Sequence, residues 1–295
     1  MKEIRPEDDF RRAPFGNDPF LNESWYFNIL DPEKDIGIFL RLGIFHNAKH
    51  ANLSVLIVNN DREVYSRLHY NQPVPEGNTD IGIGLAGFKV TAIELLNEYR
   101  LEYVDEAYGL AIDVNWKGIH PVVDGNMHVK ARPGSAHMEQ AGRVKGTMTY
   151  REKPIEINGF GNRDHAVGRR NWSIFGGHKL MWAVFEDGMS VAVGRFDIGK
   201  RGIIDMNWIW RDNALHDVTT DSFDMIADAV GRTVGADISF KDDKGRSYNF
   251  KATRKSASHW PFDGYFLEEG FAQYVRDDGV VGYGLLERGW KGEIK

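Results

Sequence analysis

Alternation of side-chain type at every second position is the feature that most narrows the folds open to this chain. From position 36 to 45, aliphatic residues alternate with glycine, phenylalanine or arginine, and the aliphatic set is Ile36, Ile38, Leu40, Leu42 and Ile44. The segments 108–116 and 204–210 repeat this spacing. A period of two puts alternate side chains on opposite faces of a pleated strand, so these segments are predicted to be β-strands.

Turn sequences separate the predicted strands. NND at 59–61, EDG at 186–188, DDKG at 242–245 and DDG at 277–279 supply residues that tolerate the positive φ angles of tight hairpins. Segment 91–107 is rich in Leu and Glu, but Tyr99, Leu101 and Tyr103 alternate with polar neighbours, which favours strand over helix. Strands joined by close turns about every ten residues are typical of an antiparallel sandwich or barrel.

The length of 295 residues allows two ordinary domains, each with its own core. Segment 131–143 interrupts the strand pattern with Pro133 and Gly134, and it is where we expect a short helix and the domain junction. The predicted fold is therefore all-β, with one barrel-sized domain at 1–135 and a second at 136–295.

Composition excludes several classes of function. The net charge of −6 argues against a surface that follows nucleic-acid phosphates. The absence of cysteine excludes disulfides and thiolate catalysis. The charged start, MKEIRPEDDFRRAPF, has no apolar core of a signal peptide, and no stretch reaches 18 apolar residues. We expect a soluble, cytoplasmic protein without a membrane span; its oligomeric state stays open.

Metal and nucleotide motifs are weak. His46 and His50 have the i, i+4 spacing of a helical metal pair, but they lie where a strand ends, without a glutamate placed as in metalloproteases. GIGLAG at 82–87 lacks the strand–turn–helix context of a dinucleotide site. The expectation is a protein that works without metal or cofactor.

Four tryptophans in the second half have two interpretations. Large aromatic side chains commonly fill β cores. Barrels of this size can also enclose one small molecule, and the tryptophans would then form the wall of an apolar cavity. The residues concerned are Trp172, Trp182, Trp208 and Trp210.

The stretch GFGNRDHAVGRRNW at 159–172 places a base, an acid and an imidazole side by side. On a strand, Asp164 faces one side while Arg163 and His165 face the other. One interpretation is an ion pair or hydrogen-bond cluster that closes one end of a barrel. The other is catalytic, because burial of a carboxyl in an apolar cavity raises its pKa and makes it a proton donor near neutral pH.

The same stretch carries a resemblance to a known family. NGFGNRDHAVGRRNW at 158–172, ESWYFNILDPEKDIGIFLRLGIFHN at 23–47 and GYGLLERG at 282–289 resemble the AttH-like and carotenoid 1,2-hydratase superfamily. Its G-x-x-x-x-D-H-x-x-G element is matched by Gly159, Asp164, His165 and Gly168, whereas Ala166-Val167 depart from the usual Asn or Ser followed by Trp. The resemblance implies two packed lipocalin-like barrels and an apolar polyene, terpenoid or polyketide-like substrate in a pocket at or between them.

Two hypotheses follow. In the first, the protein is a lyase or isomerase in which Asp164, assisted by His165, protonates a carbon–carbon double bond. Arg163 would then fix the arrangement of the neighbouring charges or bind a polar end of the substrate. Glu287 would position water. The pocket would be lined by the four tryptophans and Tyr283. In the second, the protein is a carrier of an apolar molecule. A carrier needs no acid in its cavity, and burying an unpaired polar group costs about 2–7 kcal/mol, so an acid deep in the cavity favours the enzyme.

Overall fold

The structure, a computed structural model, describes residues 4–125, 135–262 and 264–292. Two antiparallel sheets account for most of them, which confirms the all-β prediction. The first sheet contains β1 (Leu21–Asp31), β2 (Ile36–Phe45), β3 (His50–Asn59), β4 (Arg62–Gln72), β5 (Gly77–Asn78), β6 (Gly82–Leu85), β7 (Phe88–Glu94), β8 (Glu98–Asp105), β9 (Leu110–Gly118), β10 (Val123–Asp124), β11 (Ala136–Tyr150) and β12 (Lys153–Arg169).

The second sheet is a closed barrel of eight strands in chain order. Its strands are β13 (Gly177–Phe185), β14 (Ser190–Asp197), β15 (Ile203–Arg211), β16 (Ala214–Ala227), β17 (Thr233–Asp242), β18 (Ser247–Phe262), β19 (Tyr265–Arg276) and β20 (Val281–Lys291). The helical residues described are short 3-10 turns at Pro6–Asp9, Glu106–Tyr108, Trp172–Ile174 and Gly199–Arg201. None of the described helices has the length and apolar character that a membrane crossing requires.

The first sheet is curled but not closed by strand pairing. Its order is β4-β3-β2-β1-β12-β11-β9-β8-β7-β6-β5, with β10 paired to β11. Tyr65 on β4 donates a hydrogen bond to Asp105 at the end of β8 at 2.6 Å, so side chains bridge the two arms of the sheet. Segment 91–107 forms β7 and β8, as the alternation predicted.

The change of sheet does not fall at the predicted boundary of 135/136. Strands β11 and β12 pair with β9 and β1 of the first sheet, and the second sheet begins at Gly177. Residues 131–134 of the expected short helix lie outside the described residues. From Ala136 to residue 143 the chain is strand, so the helix prediction is wrong there.

Three apolar clusters fill the molecule. One lies inside the curled first sheet and one inside the barrel. The third lies between the two halves, where Tyr26, Leu30 and Phe39 on one side meet Trp182, Trp260 and Phe271 on the other. Strand β1 contributes to both the inner cluster and the interface, which explains why all eleven of its residues are buried.

A buried ionic network ties the N-terminal segment to the inside of the first sheet. Asp9 is fully buried and accepts hydrogen bonds from Arg163 Nη1 at 3.2 Å and His165 Nδ1 at 3.1 Å. The other ring nitrogen of His165 bonds Glu23 at 2.9 Å, and the Arg163 guanidinium lies 4.4 Å from the ring centroid of Tyr99. These contacts pair the buried charges that would otherwise destabilise the fold.

The network makes stability depend on pH. Burial opposes the charged form of His165, but its hydrogen bonds to Asp9 and Glu23 outweigh burial and raise its pKa from 6.5 to about 9, which corresponds to about 3 kcal/mol of stabilisation. This contribution is complete below pH 6.5 and is lost as the pH rises to about 9. Burial also opposes the charge on Asp9, yet Arg163 and His165 lower its pKa from 3.8 to about 2, so its contribution is lost as the pH falls through that range.

We therefore predict that the melting temperature is highest between pH 3.8 and 6.5 and falls by several degrees from pH 6.5 to 9. His165→Gln should lower the melting temperature at pH 6 and flatten the alkaline fall. His69→Gln, on β4 away from the network, should keep the parent profile. Thermal unfolding across pH measures all three proteins, and an equally steep alkaline fall in His165→Gln would contradict the assignment.

Candidate active site

Strand β12 splits the Arg163-Asp164-His165 triplet between its two faces, as the alternation predicted. Arg163 and His165 point into the first sheet and are buried in the ionic network. Asp164 points the other way, toward the barrel, and lines a cavity. Arg163 pairs with Asp9 rather than with its neighbour, so the triplet does not act as one cluster.

Four polar side chains form a row across the outer face of the first sheet. Arg41 on β2 is opposite Tyr26 on β1, and Tyr26 is opposite Asp164 on β12. Asp164 is in turn opposite Glu139 on β11. Directly paired residues on one face lie about 5 Å apart, so the row brings these groups within reach of one another.

The outer face of the barrel supplies the facing wall. Glu269 on β19 and Glu287 on β20 are directly opposite in register, which places two carboxyls side by side. His178 Nε2 bonds Glu287 at 2.5 Å. Tyr26 donates a hydrogen bond from its hydroxyl to Glu269 Oε2 at 3.0 Å and so joins the two halves at the centre of the site.

A cavity of about 890 Å³ lies between these walls. Its polar lining includes the row and the glutamate pair just described. The rest is largely apolar and comes from both halves; it includes Ala166, Val167, Trp172, Ile174, Phe175, Leu180, Trp182, Phe196, Met206, Trp260, Leu267 and Leu285. An apolar space with a few convergent polar groups is the usual form of a small-molecule site.

Burial in this cavity favours the neutral form of Glu269. Its burial and the neighbouring charge of Glu287 raise its pKa well above the ordinary value for a glutamate. Burial and the same two glutamates also raise the pKa of Tyr26 well above that of a free phenol, so Tyr26 keeps its proton and donates to Glu269. The site therefore combines a protonated carboxyl with a fixed hydrogen-bond donor.

A second polar group surrounds His137. Its Nε2 lies 3.4 Å from Glu139 and 3.8 Å from Asp164. Burial opposes the imidazolium, but the charges of Glu139 and Asp164 outweigh it and raise the pKa of His137. The indole nitrogen of Trp208 donates to Glu139 at 2.5 Å. Oδ1 of Asp164 is buried and accepts no hydrogen bond from the described residues.

Several residues predicted for the site lie elsewhere. Of the four tryptophans, Trp172 and Trp182 line the cavity, whereas Trp208 and Trp210 lie behind it, against His120. Tyr283 packs at the interface beside Phe271 and does not line the cavity, although Glu287 on the same strand does. The predicted catalytic partner of Asp164, His165, and the predicted substrate contact, Arg163, are on the opposite face of β12. The alternation of side chains explains the positions of His165 and Arg163, because both are neighbours of Asp164 on the strand and therefore face the opposite side.

Tyr26, Glu139 and Glu269 line the cavity but were not predicted from the sequence. A signal existed for the last of these: Glu268 and Glu269 stand in the otherwise largely apolar segment 265–272. The strand puts them on opposite faces, so Glu268 pairs with Arg254 and His259 while Glu269 enters the cavity. Across residues 4–125, 135–262 and 264–292, no group of three or more His, Asp or Glu side chains is placed to hold a metal ion.

The fold and the site together define a class of protein. It is an all-β protein whose two antiparallel halves enclose an apolar cavity, with a buried acid where the halves meet. The family model described as "Domain of unknown function (DUF7064)" matches residues 5–292, and the chain belongs to this family. Comparison with curated protein sequences finds no match.

Solved structures with similar folds include three informative proteins. A protein from Nitrosomonas europaea described as a "putative AttH" is 15% identical with a TM-score of 0.63, over 94% of this chain and 97% of its own. CghA is 12% identical with a TM-score of 0.67, over 94% and 90%. Kievitone hydratase from Nectria haematococca is 12% identical with a TM-score of 0.60, over 92% and 89%. The resemblance to AttH-like proteins is thus confirmed at the level of the fold.

We predict that an apolar polyene quenches tryptophan fluorescence saturably, because Trp172 and Trp182 line the cavity. Trp172→Phe should reduce the amplitude of quenching. Trp210→Phe, which changes a tryptophan outside the cavity, should leave the amplitude of quenching near that of the parent. Quenching that never saturates, or that is equal in the two variants, would mean that the probe does not bind here.

Proposed function

We propose that the protein is a cofactor-independent hydratase, lyase or isomerase that acts by acid–base chemistry on an apolar terpenoid, polyene or aromatic small molecule in the cavity between its halves. The observation that carries this proposal is Glu269, a carboxyl buried beside an apolar space where burial and Glu287 raise its pKa. Similar folds in kievitone hydratase and CghA, the latter also crystallised with Sch210972, support an enzyme of this type.

Glu269 replaces Asp164 as the proposed proton donor. Tyr26 donates to Oε2 of Glu269, so the acidic proton resides on Oε1. A proton held on a carboxyl whose pKa is raised can be transferred to a carbon–carbon double bond near neutral pH. The reacting carbon would then carry positive charge in a cavity with aromatic walls.

Glu287 completes the cycle in the direction of water addition. Water attacks the carbocation through its oxygen, and its surplus proton passes to Glu287, which His178 orients. Glu287 returns that proton to Glu269, its cross-strand neighbour, so alkene and water give an alcohol with no net change in the protein. Elimination follows the same steps in reverse, and loss of a proton from another carbon gives isomerisation.

Asp164 takes an electrostatic part in this proposal. Its Oδ1 atom is buried and accepts no hydrogen bond within the described ranges, and its charge contributes to raising the pKa of Glu269. A fixed negative charge near a developing carbocation stabilises the transition state without moving during the reaction. His137 holds Asp164 from the side.

A carrier of apolar molecules was the alternative, and the burial of Glu269 argues against it. A neutral carboxyl in an apolar cavity costs free energy that binding an apolar molecule does not require. In an enzyme, Glu269, the adjacent Glu287 and the contact between Glu287 and His178 all take part in proton transfer. Identifying the ligand extracted from natively purified protein by mass spectrometry supplies the compound for the assays below.

We predict that Glu269→Gln loses about 10²–10⁴-fold in turnover, because the amide keeps the volume but has no transferable proton. Its melting temperature should stay close to the parent value or rise. Glu268→Gln is the matched control: it removes a buried partner of Arg254 and His259, and should lower the melting temperature while keeping turnover. Full turnover in a folded Glu269→Gln protein would refute the assigned donor.

We predict a separate effect for Asp164→Asn. Loss of a preorganised charge at the reacting centre typically costs about 10²–10³-fold in turnover. Stability should change little, since Oδ1 of Asp164 has no hydrogen-bond donor to lose among the described residues. Turnover and thermal unfolding of the same variant test this. Lost stability with unchanged turnover would leave Asp164 a structural partner of His137.

A further inference from the structure

Two arginines at the cavity have no carboxylate of a described residue within ion-pair distance. Arg41 belongs to the row on the outer face of the first sheet, and Arg170 follows the last residue of β12; both line the cavity. Within the part of the chain that the structure describes, no ion pair involves either guanidinium. Arg169, in contrast, lies 3.2 Å from Asp18, and Arg163 lies 3.2 Å from Asp9.

The surroundings of Arg41 hold its guanidinium in place. Its Nη2 donates to Asn22 Oδ1 at 2.9 Å. The side chain lies over Gly43, where a Cβ atom would come within 2.8 Å of Nη1. A residue with any side chain at position 43 would therefore displace the guanidinium, so glycine preserves the space that it occupies.

The two charges destabilise each other in this setting. Burial disfavours the charged form of Arg41, and the positive charge of Arg170 adds to this effect. Together they outweigh the opposing contributions of Asp164 and Glu269 and lower the pKa of Arg41 to about 10. Arg170 lies against the ring of Trp172, with its guanidinium carbon 5.4 Å from the centroid. Two like charges beside an apolar cavity repel each other, and a bound anion lowers the free energy of the site because it neutralises them.

A carboxylate fits these charges better than a phosphate does. Guanidinium groups bind both anions through paired N–H donors. The opposite wall already carries Glu287, and Asp164 lies in the same row as Arg41, so each additional negative charge on the ligand increases repulsion. A ligand with one negative charge is attracted by the two arginines and is repelled less by Asp164 and Glu287 than a ligand with two negative charges.

We propose that the ligand is an apolar molecule with one carboxylate, and that Arg41 and Arg170 bind this carboxylate at one side of the cavity while Trp172 and the apolar lining hold the body. This inference deepens the proposed function, because it names the class of substrate for the same cavity. It concerns binding alone and involves no chemical step.

The test compares retinoic acid, retinol and retinyl phosphate, which share one apolar polyene and differ in the end group. Titration at neutral pH, followed by tryptophan quenching, gives a dissociation constant for each. A hydrogen bond to a charged group contributes enough to make retinoic acid bind about tenfold to a hundredfold more tightly than retinol. Equal affinity for the two, no saturable binding of the acid, or tighter binding of the phosphate would overturn the proposal.

Variants then assign the preference to the two arginines. Arg41→Gln and Arg170→Gln should each remove most of the preference for the acid and leave the affinity for retinol unchanged, which also shows that the cavity is intact. Arg100→Gln is the matched control, because Arg100 is exposed and pairs with Asp113 on the first sheet. A preference that persists in both cavity variants would also overturn the proposal.

The binding comparison separates this inference from the proposed function. If the acid shows no advantage but Glu269→Gln abolishes turnover, the carboxylate inference fails and the acid–base proposal stands. If the acid is preferred through the arginines but Glu269→Gln keeps full turnover, the assigned acid fails and the ligand class stands.

Discussion

The pairing of β1 with β12, in the register that sets Tyr26 opposite Asp164, is the constraint on which the rest of the structure depends. This pair lies at the centre of the first sheet, with a core on one side and the barrel on the other. A slip of one residue would send every side chain of one strand to the wrong face. Asp164 would then enter the inner core, and His165 would lose its contacts with Asp9 and Glu23.

Buried acidic groups are stabilised differently on the two faces of the β1–β12 pair. On the inner face, His165 and Arg163 neutralise Asp9 and Glu23 by direct contact. On the outer face, Glu269 meets a phenol rather than a cation, and burial holds it neutral. Paired ions stabilise a fold but are poor proton donors at neutral pH, whereas a neutral acid is well suited to proton transfer. Chemistry is therefore expected on the outer face.

Local alternation made the strands, the all-β class and the division of the Arg163-Asp164-His165 triplet predictable from the sequence. It could not predict which face of a strand meets a second sheet, because that depends on how strands far apart in sequence pair. The four tryptophans of the second half were expected to fill a core or to line an apolar cavity. Two of them, Trp182 and Trp208, lie on the outside of the barrel, in the cluster between the halves.

The same limit explains the errors in the site. Glu269 and Tyr26 are 243 positions apart in the chain, and no local pattern connects them. The position of the change of sheet depends on the same long-range pairing: β11 and β12 come after the interrupted segment but pair backward with β9 and β1. The sequence motifs predicted Asp164, which lies in the wall formed by the first sheet, and Glu287, which lies in the wall formed by the barrel.

The cavity is bounded by the outer surface of a closed barrel, not by its interior, and this has an evolutionary consequence. Leu180, Leu267 and Leu285 face the cavity, while alternate residues of the same strands, Met181 and Leu286 among them, form the barrel's core. The lining can therefore change in size and polarity over generations without repacking that core. Such a scaffold can change its ligand while keeping its architecture.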